Sequence, residues 1–330
     1  MADAITITSD MKVYEPEFNA GFYEALYQNT NIFNGASRGG ITLITQVHQG
    51  HYLKEAYFKQ ISSLVTRQDI TSTSAVDSKK LEQVEEAAVK LHSKIGPVQF
   101  TKKAFKMAGL NIESRAGSFY LGRLVADAVA QRVASQAIIA VNAAVSGQAS
   151  LIYDVTAMGT ATATLKYLNR ARGKWGDQMS KLASWLMHSS VFLDVWDDSV
   201  EIPLESVAGV AVAQGAVPGL LGAGLVVSDN TNLVSGTDYS TIGLASGACV
   251  VRQSELQDVA IVTRVGYEQL MIEVQGEFAV SIGIDGFTWD ITNGGSNPTD
   301  GNLGTTTNWD KIRTDTTGLP LVKLLSLIGS

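Results

Sequence analysis

The sequence predicts a mixed α+β fold, and three stretches predict it. Residues 115–147 read as one helix, residues 270–284 as one strand, and residues 165–265 between them as a smaller lobe of helix and short strands separated by glycine-rich turns. The helix and the strand are each too long for a compact single globule, so the two are expected to lie side by side in a slab.

The helix runs through a span with no proline between Pro97 and Pro203. Leu121, Leu124, Val125, Ala128 and Val129 recur at helical spacing, with Arg123, Asp127 and Gln131 on another side. From Val133 to Val145 the sequence is apolar nearly all round, which predicts fuller burial of the second half. Ser114 or Ser118 is expected to cap the start, and Gly147 to supply a left-handed terminating residue. The helix length is roughly 48 Å at 1.5 Å per residue. In the strand, Leu270, Ile272, Val274, Phe278, Val280, Ile282 and Ile284 occupy even positions, while Glu273, Gln275, Glu277, Ser281 and Asp285 fill odd ones. That period of two gives one apolar face about 50 Å long.

Residues 1–45 read as an N-terminal arm with little core of its own. Phe18, Phe22, Leu26 and Phe33 predict a short amphipathic helix after Pro16, followed by the turn Gly35-Ala36-Ser37-Arg38-Gly39-Gly40 and a strand from Ile41 to Val47. Residues 46–100 are polar and charged. Limbs at His51–Asp69 and Val84–Phe100 flank Thr71-Ser72-Thr73-Ser74, a composition suited to a loop tip. Leu81, Val84, Ala88 and Leu91 leave a short helix open as the alternative. A limb of about twenty extended residues reaches ~65 Å, against a radius of gyration of ~20 Å for a globule of this length, so it is expected to project. Beyond the long helix, Leu165 to Trp196 reads as a second helical region loosened at Gly173 and Gly176, restarting at a cap on Asp177 and burying Leu182, Trp185 and Leu186. After the long strand come Gly286-Phe287-Thr288-Trp289, a polar glycine-rich stretch, and an apolar tail from Leu319 to Ile328.

Across 330 residues the net charge is −7, and no window is read as concentrating Lys and Arg, which argues against a protein whose main work is gripping nucleic acid. The single cysteine, Cys249, excludes an internal disulfide and fits a reducing compartment. No secretory signal follows Met1-Ala2-Asp3. Residues 207–227 carry no charge, but they contain Pro218, Gln214 and five glycines, so short strands and turns are expected there and no membrane partner.

No constellation assembles an active site, and no catalytic, cofactor-binding or metal residue is assigned. Gly35-Ala36-Ser37-Arg38-Gly39 matches the nucleophile-elbow pattern in form, but a strand follows it where the elbow needs a helix, so a hydrolase using Ser37 is only a remote alternative. His48, His51, His92 and His188 lack zinc spacing, and His48 and His51 read as exposed polar residues. Gly219-Leu220-Leu221-Gly222-Ala223-Gly224 lacks the phosphate-loop lysine, and Asp229-Asn230-Thr231-Asn232 reads as a turn. Glu82, Glu85 and Glu86 beside Lys79, Lys80 and Lys90 read as a solvated face, with pairing to another subunit left open.

The order of arm, projecting loop, long helix, inserted lobe and long strand resembles the major capsid protein of tailed double-stranded DNA bacteriophages, the Johnson-type phage capsid fold. Local patterns agree: Phe22 to Phe33 followed by Ala36-Ser37-Arg38-Gly39; Gly96-Pro97-Val98; Leu186-Met187-His188-Ser189 ending the lobe's helix; Val226-Val227-Ser228-Asp229; Gly286-Phe287-Thr288-Trp289. Most specific is Asn297-Pro298-Thr299-Asp300 with Leu303 and Asn308-Trp309.

The resemblance implies an N-terminal arm at 1–45, an extended loop at 46–100, a peripheral domain at 101–165 (spine helix) and 266–330 (long strand and C-terminal segment), and an axial domain at 166–265. It implies a structural subunit that self-assembles into hexamers and pentamers of an icosahedral head shell in the virion, made in the bacterial host cytoplasm. Portal, decoration and scaffolding proteins are implied as partners; with the arm starting at residue 1, either the scaffold is a separate protein, which Met1 favours, or the chain is an already processed form. Packaged DNA would touch the shell only non-specifically, and the acidic balance suits a container, because a strongly basic inner wall would hold the DNA tightly and resist its exit. Some relatives crosslink Lys to Asn; Lys54, Lys59, Lys79 and Lys80 lie in the loop without a motif fixing a partner. An encapsulin-type nanocompartment shell of the same fold is the nearest alternative.

Overall fold

The computed structural model describes residues 15–58, 65, 67–68, 70–73, 75, 78, 80–107, 115–158, 161–201, 223–266, 268–313 and 315–328. Ser114, Ser74, Lys59, Lys79, most of 207–227 and Gly219 to Gly222 lie outside them.

The arm is a 22-residue helix, α1 (Glu15–Ala36), followed by β1 (Ile41–Thr45). It is longer than expected because its apolar stripe has a partner within the same chain. That partner is the long helix: after β2 (Tyr52–Phe58), β3 (Gln83–Thr101) and α2 (Lys102–Met107), α3 runs 32 residues, Arg115–Ser146. Phe18, Phe22 and Ala25 of α1 are buried, as are Ala126 and Val129 of α3. The backbones touch: a Cβ added at Gly122 would sit 2.3 Å from the Phe18 carbonyl oxygen, and one at Gly21 would sit 2.4 Å from that of Phe119. The stripe that α3 turns to α1 therefore runs through small residues, and Leu124, expected inside, is 48% exposed. From Ala137 to Val145 burial is nearly complete, as the all-round apolar composition predicted.

The helix ends differently from expectation. Ser118 is a buried residue within α3 and so does not precede it as a cap, and Gly147 is not among the positive-φ glycines. Its N–H donates to the Ala143 carbonyl at 3.3 Å, continuing the helical pattern. Residues 117–146 are long and apolar enough to cross a membrane by those two measures alone. Here α1 and the sheet occupy the apolar side.

Two principal sheets complete the body. After β4 (Ile152–Asp154), α4 (Leu165–Arg172), β5 (Leu182–Met187), α5 (Ser189–Glu201), β6 (Gly224–Val227), β7 (Val234–Ser235) and β8 (Asp238–Ala245) come the long strands β9 (Cys249–Arg264) and β10 (Met271–Ile284). Next are β11 (Phe287–Trp289), α6 (Ile291–Gly294), α7 (Asp300–Leu303), β12 (Trp309–Lys311) and β13 (Leu321–Ser326). The sheet that is larger in residues has five strands, most of them long, in the order β1-β9-β10-β3-β2, and the sheet smaller in residues has six short ones, β4-β13-β8-β5-β6 with β7 beside β8. A C-terminal strand thus sits in the smaller sheet, while β9 leaves it for the larger one.

The even-numbered residues of β10 from Ile272 to Ile284 are buried as the period of two predicted, except that the chain bulges between Val274 and Gly276 opposite β3. Leu270 lies outside the strand and exposed. The long helix meets this sheet where Val129 and Val133 approach Val251 and Val280, but it lies more extensively along α1. Leu182 to Met187 is a strand rather than the buried side of a helix, so Asp177 caps no restart and Leu186-Met187 ends β5, not a helix. A six-residue apolar run fits either period, and pairing on both sides, to β8 and β6, decides for the strand. His188 then opens α5, its Nδ1 accepting from the Ser190 N–H at 3.2 Å.

The outward edge of β1 is closed by side chains. The Leu43 N–H donates to Asn34 Oδ1 at 2.8 Å and Asn34 Nδ2 donates to the Leu43 carbonyl at 3.1 Å, so one amide mimics a neighbouring strand. Ser37 Oγ donates to the Ile41 carbonyl at 2.8 Å.

Lys323 of β13 is 6% exposed and donates to Asn142 Oδ1 at 2.9 Å and Ser146 Oγ at 2.8 Å, in the last turns of α3. Burial lowers its pKa to about 8. Because the folded value lies below the unfolded one, stability should rise with pH between about 8 and 10.5. Lys323→Met should flatten that rise in unfolding titrations; an unchanged slope would show that the lysine is not desolvated. Gly122→Ala should destabilise by about 1–3 kcal/mol in urea melts through backbone overlap, although alanine is the better helix former by about 1 kcal/mol. A more stable variant would contradict the close approach.

Candidate assembly surfaces

β1 and β2 are consecutive in the chain but form opposite edges of the larger sheet, so residues 46–51 must cross its polar face. The crossing is pinned strand by strand. Gln46 N–H donates to the Gln253 carbonyl of β9 at 3.2 Å, and His48 N–H to that of Ser254 at 3.3 Å. His48 Nε2 lies 3.1 Å from Ser281 Oγ on β10, and the Lys90 N–H of β3 donates to the His51 carbonyl at 3.0 Å. This strap buries Ser281 and Lys90, which an open polar face would expose.

Charges beneath it are paired. Lys90 meets Glu255 at 2.5 Å, and Arg252 meets Glu55 at 3.2 Å while its Nε donates to Gln46 at 2.9 Å. Burial and then the Lys90 ammonium lower the His48 pKa, keeping the ring neutral where a second cation would be repelled. The adjoining row carries carboxylates: Glu55 and Glu86 stand directly opposite each other across β2 and β3, and Asp285, bound to Arg313 at 2.7 Å, lies close by. Burial, Asp285 and Glu55 together push Glu86 up to about 7. The expectation of a solvated face holds for Glu85, paired with Lys54 at 2.5 Å, and for Glu82 with Lys80 at 3.6 Å. It fails for Glu86 and Lys90, because the strap and the turn after β10 cover them. His48 is likewise half-buried, while His51 is exposed.

The second limb of the polar region is a strand, not a helix, and half of it belongs to the body: β3 pairs with β10 from Val89 to Thr101 and with β2 from Gln83 to Val89. The β2–β3 hairpin continues past the last residue of β10. Around and beyond its end, Phe58 is 65% exposed, Val65 91%, Ile70 89% and Leu81 59%. Four large apolar side chains in water at the end of a hairpin are a surface prepared for contact.

The Asn297-Pro298-Thr299-Asp300 motif proves to be a clamp. Asn297, at φ 50°, accepts from the His92 N–H of β3 at 2.9 Å. Thr299 caps α7, and Asp300 holds Arg132 of α3 through two bonds of 2.6 and 2.8 Å. Trp309 packs edge-on to Trp289 at 5.1 Å and donates to the Leu303 carbonyl at 3.0 Å.

Ser37 is fully buried with its hydroxyl committed to the backbone, so the remote hydrolase reading is withdrawn. Among the described residues no group of His, Cys, Asp or Glu could hold a metal ion. Asp229 to Asn232 forms a turn in which Asn230 Oδ1 accepts from the Asn232 N–H at 2.9 Å. Cys249 is buried, and desolvation pushes its thiol up to about 12, leaving it inert. Two features were missed in the sequence. The separate pairs Lys90–Glu255, Arg252–Glu55 and Arg313–Asp285 form only once distant segments of the chain are folded together. Residues 165–174 do concentrate basic side chains, with Lys166, Arg170, Arg172 and Lys174 in ten positions, and so do residues 102–106, with Lys102, Lys103 and Lys106, where no such window was expected.

Residues 10–319 match the family described as Gp13-like, major capsid protein 13-like. Solved structures that are similar include one described as Mycobacterium phage Cain (TM-score 0.55, 10% identity, 88% of this chain and 89% of that one). Two others are described as Microbacterium phage Oxtober96 (0.54, 11%, 88% and 90%) and the capsid of Myoviridae phage XM1 (0.53, 12%, 88% and 90%). At such identities they show the fold. No curated protein matches. The chain belongs to the Gp13-like major capsid protein family: it is a shell-forming structural subunit of the virion capsid, not an enzyme.

Because the folded pKa of Glu86 lies above its unfolded value of 4.5, the group's contribution to stability is fully present below about 4.5 and is lost as pH rises through about 7. Glu86→Gln should remove that loss and exceed the wild type by about 1–2 kcal/mol at pH 8, allowing for solvent screening. Denaturant titrations at pH 5 and 8 measure it, and equal pH dependence in both proteins would refute the carboxylate row.

Proposed function

We propose that this subunit forms hexamers and pentamers of an icosahedral head enclosing double-stranded DNA, assembled in the bacterial host cytoplasm. A separate scaffolding protein, a portal and decoration proteins complete the assembly. In this reading 1–45 is the arm, 46–100 the extended loop, 101–165 with 266–330 the peripheral domain, and 166–265 the axial domain, the two domains being interlocked by β9 and β13. The observation that carries it is the β2–β3 hairpin with Phe58, Val65, Ile70 and Leu81 in water. Such a tip gains its burial only on a neighbouring copy, and head-to-tail contacts of this kind close into rings. Many weak contacts per subunit then add up to a stable shell.

Phe58→Ser, Ile70→Ser and Leu81→Ser combined should leave the monomer's thermal melt unchanged, since these residues are exposed, and abolish shells in electron micrographs of the expressed protein. Shells as abundant as those of the wild type would overturn the role given to the tip. Small shells filled with protein instead of large DNA-filled heads would favour the encapsulin-type compartment.

A further inference from the structure

Two helices depart from the acidic character of the molecule, the lysine-rich α2 with Lys102, Lys103 and Lys106, and α4. Between Val155 and Gly176 the chain has four basic residues and no Asp or Glu, in a protein of net charge −7. The helix α4 and the turn after it sort them. Leu168, Ala171 and Trp175 face the core, while Lys166, Asn169, Arg170 and Gly173 are exposed. Lys166 and Arg170 stand one helical turn apart on α4, their roots about 6 Å apart, and Lys174 follows, half-buried, in the turn after the helix. Lys174 Nζ stands 5.8 Å above the Tyr153 ring, which holds its stem at the surface. None of the three forms an ion pair among the described residues. Two neighbouring carboxylates are already engaged: Asp198 accepts from the Leu165 N–H at 3.0 Å, and Asp154 from Thr156 at 2.9 and 2.7 Å.

An unpaired group of cations on an acidic protein is complementary to a polyanion. Double-stranded DNA carries one charge per ~1.7 Å of its axis, so cations set this close together each find a phosphate without any sequence register. Asn169 adds an amide donor at the same face and Gly173 leaves room, with nothing within 4 Å of a Cβ placed there. We propose that the surface formed by Lys166 and Arg170 of α4 and Lys174 of the turn after it is where the subunit touches the phosphate backbone of packaged double-stranded DNA, and that this surface turns to the inside of the shell. The proposal rests on the reading of a DNA-filled head. It gives the attraction a small patch on a subunit of net charge −7, and phosphate contacts of this kind position the duplex without reading its sequence.

The test measures binding of a random-sequence 30-base-pair duplex to unassembled full-length subunits across a salt series, which does not require shells to form. Three proteins are compared: the wild type, a Lys166→Gln, Arg170→Gln, Lys174→Gln variant, and a control with Lys80→Gln, Lys94→Gln and Arg123→Gln, which removes equal charge elsewhere. The α4 variant should lose at least tenfold in affinity at low salt and lower the log–log salt slope by about 3, the control much less. Arg170→Gln alone should lower the slope by about 1 and serves if the triple variant folds poorly. Equal losses in both triple variants, or none in the α4 variant, would overturn the proposal. So would an α4 variant that binds DNA normally but fails to form shells, since the face would then belong to a contact between copies. Failure of the head reading itself would show separately, as absence of DNA from wild-type particles.

Discussion

Contact between two helix backbones sets the rest of this subunit. At Gly21 and Gly122 the arm helix and the spine helix approach until carbonyl oxygen lies where a side chain would be. Such an approach fixes how α1 lies on α3. From that placement the turn at Ser37 and the start of β1 follow, because Ser37 and Asn34 of the arm bond directly to Ile41 and Leu43. The arm is therefore part of the body's foundation, and the polar strap that leaves β1 begins from a fixed point.

The strap in turn couples the two margins of the larger sheet. It runs from β1 over β9, β10 and β3 to the root of the hairpin, and each strand grips it by a backbone bond or by a side chain such as Ser281 or Lys90. Beneath it, cations and carboxylates alternate in rows, so the hairpin's root is held by electrostatics while its tip presents apolar groups. The Asn297 to Asp300 clamp joins β3 to α3 from the other side, through His92 and Arg132. Hairpin, sheet and spine are thus tied at three separate places, and a load on the tip is passed to the longest elements in the molecule.

Much of this was legible because it is periodic. Alternation from Ile272 to Ile284 declared β10, and the apolar run from Val133 to Val145 declared the buried half of α3. Periodicity failed where neighbours decide. Leu124 falls at helical spacing with Leu121, Val125 and Val129 and is expected inside, whereas the arm's backbone required small residues at the contact and left it in water. Leu182 to Met187 satisfied both periods, and only strands on either side make it β. Glu86 and Lys90 looked like solvated charges because nothing local announces that residues 46–51 will lie over them. The clamp motif was visible as a pattern, but its role became readable only once Arg132 and His92 stood beside it.

The closed margin of β1 carries a consequence for how copies can add to one another. Asn34 and Ser37 occupy backbone groups that a further strand would need, so the larger sheet is terminated on that side by its own sequence. Its opposite margin is β2, the hairpin strand. Ribbon-on-ribbon stacking, which would yield an open-ended filament, needs two free margins and finds one stoppered. Growth is thereby diverted away from fibrils and toward joints made by side chains, which can bend, and curvature is what a finite container requires.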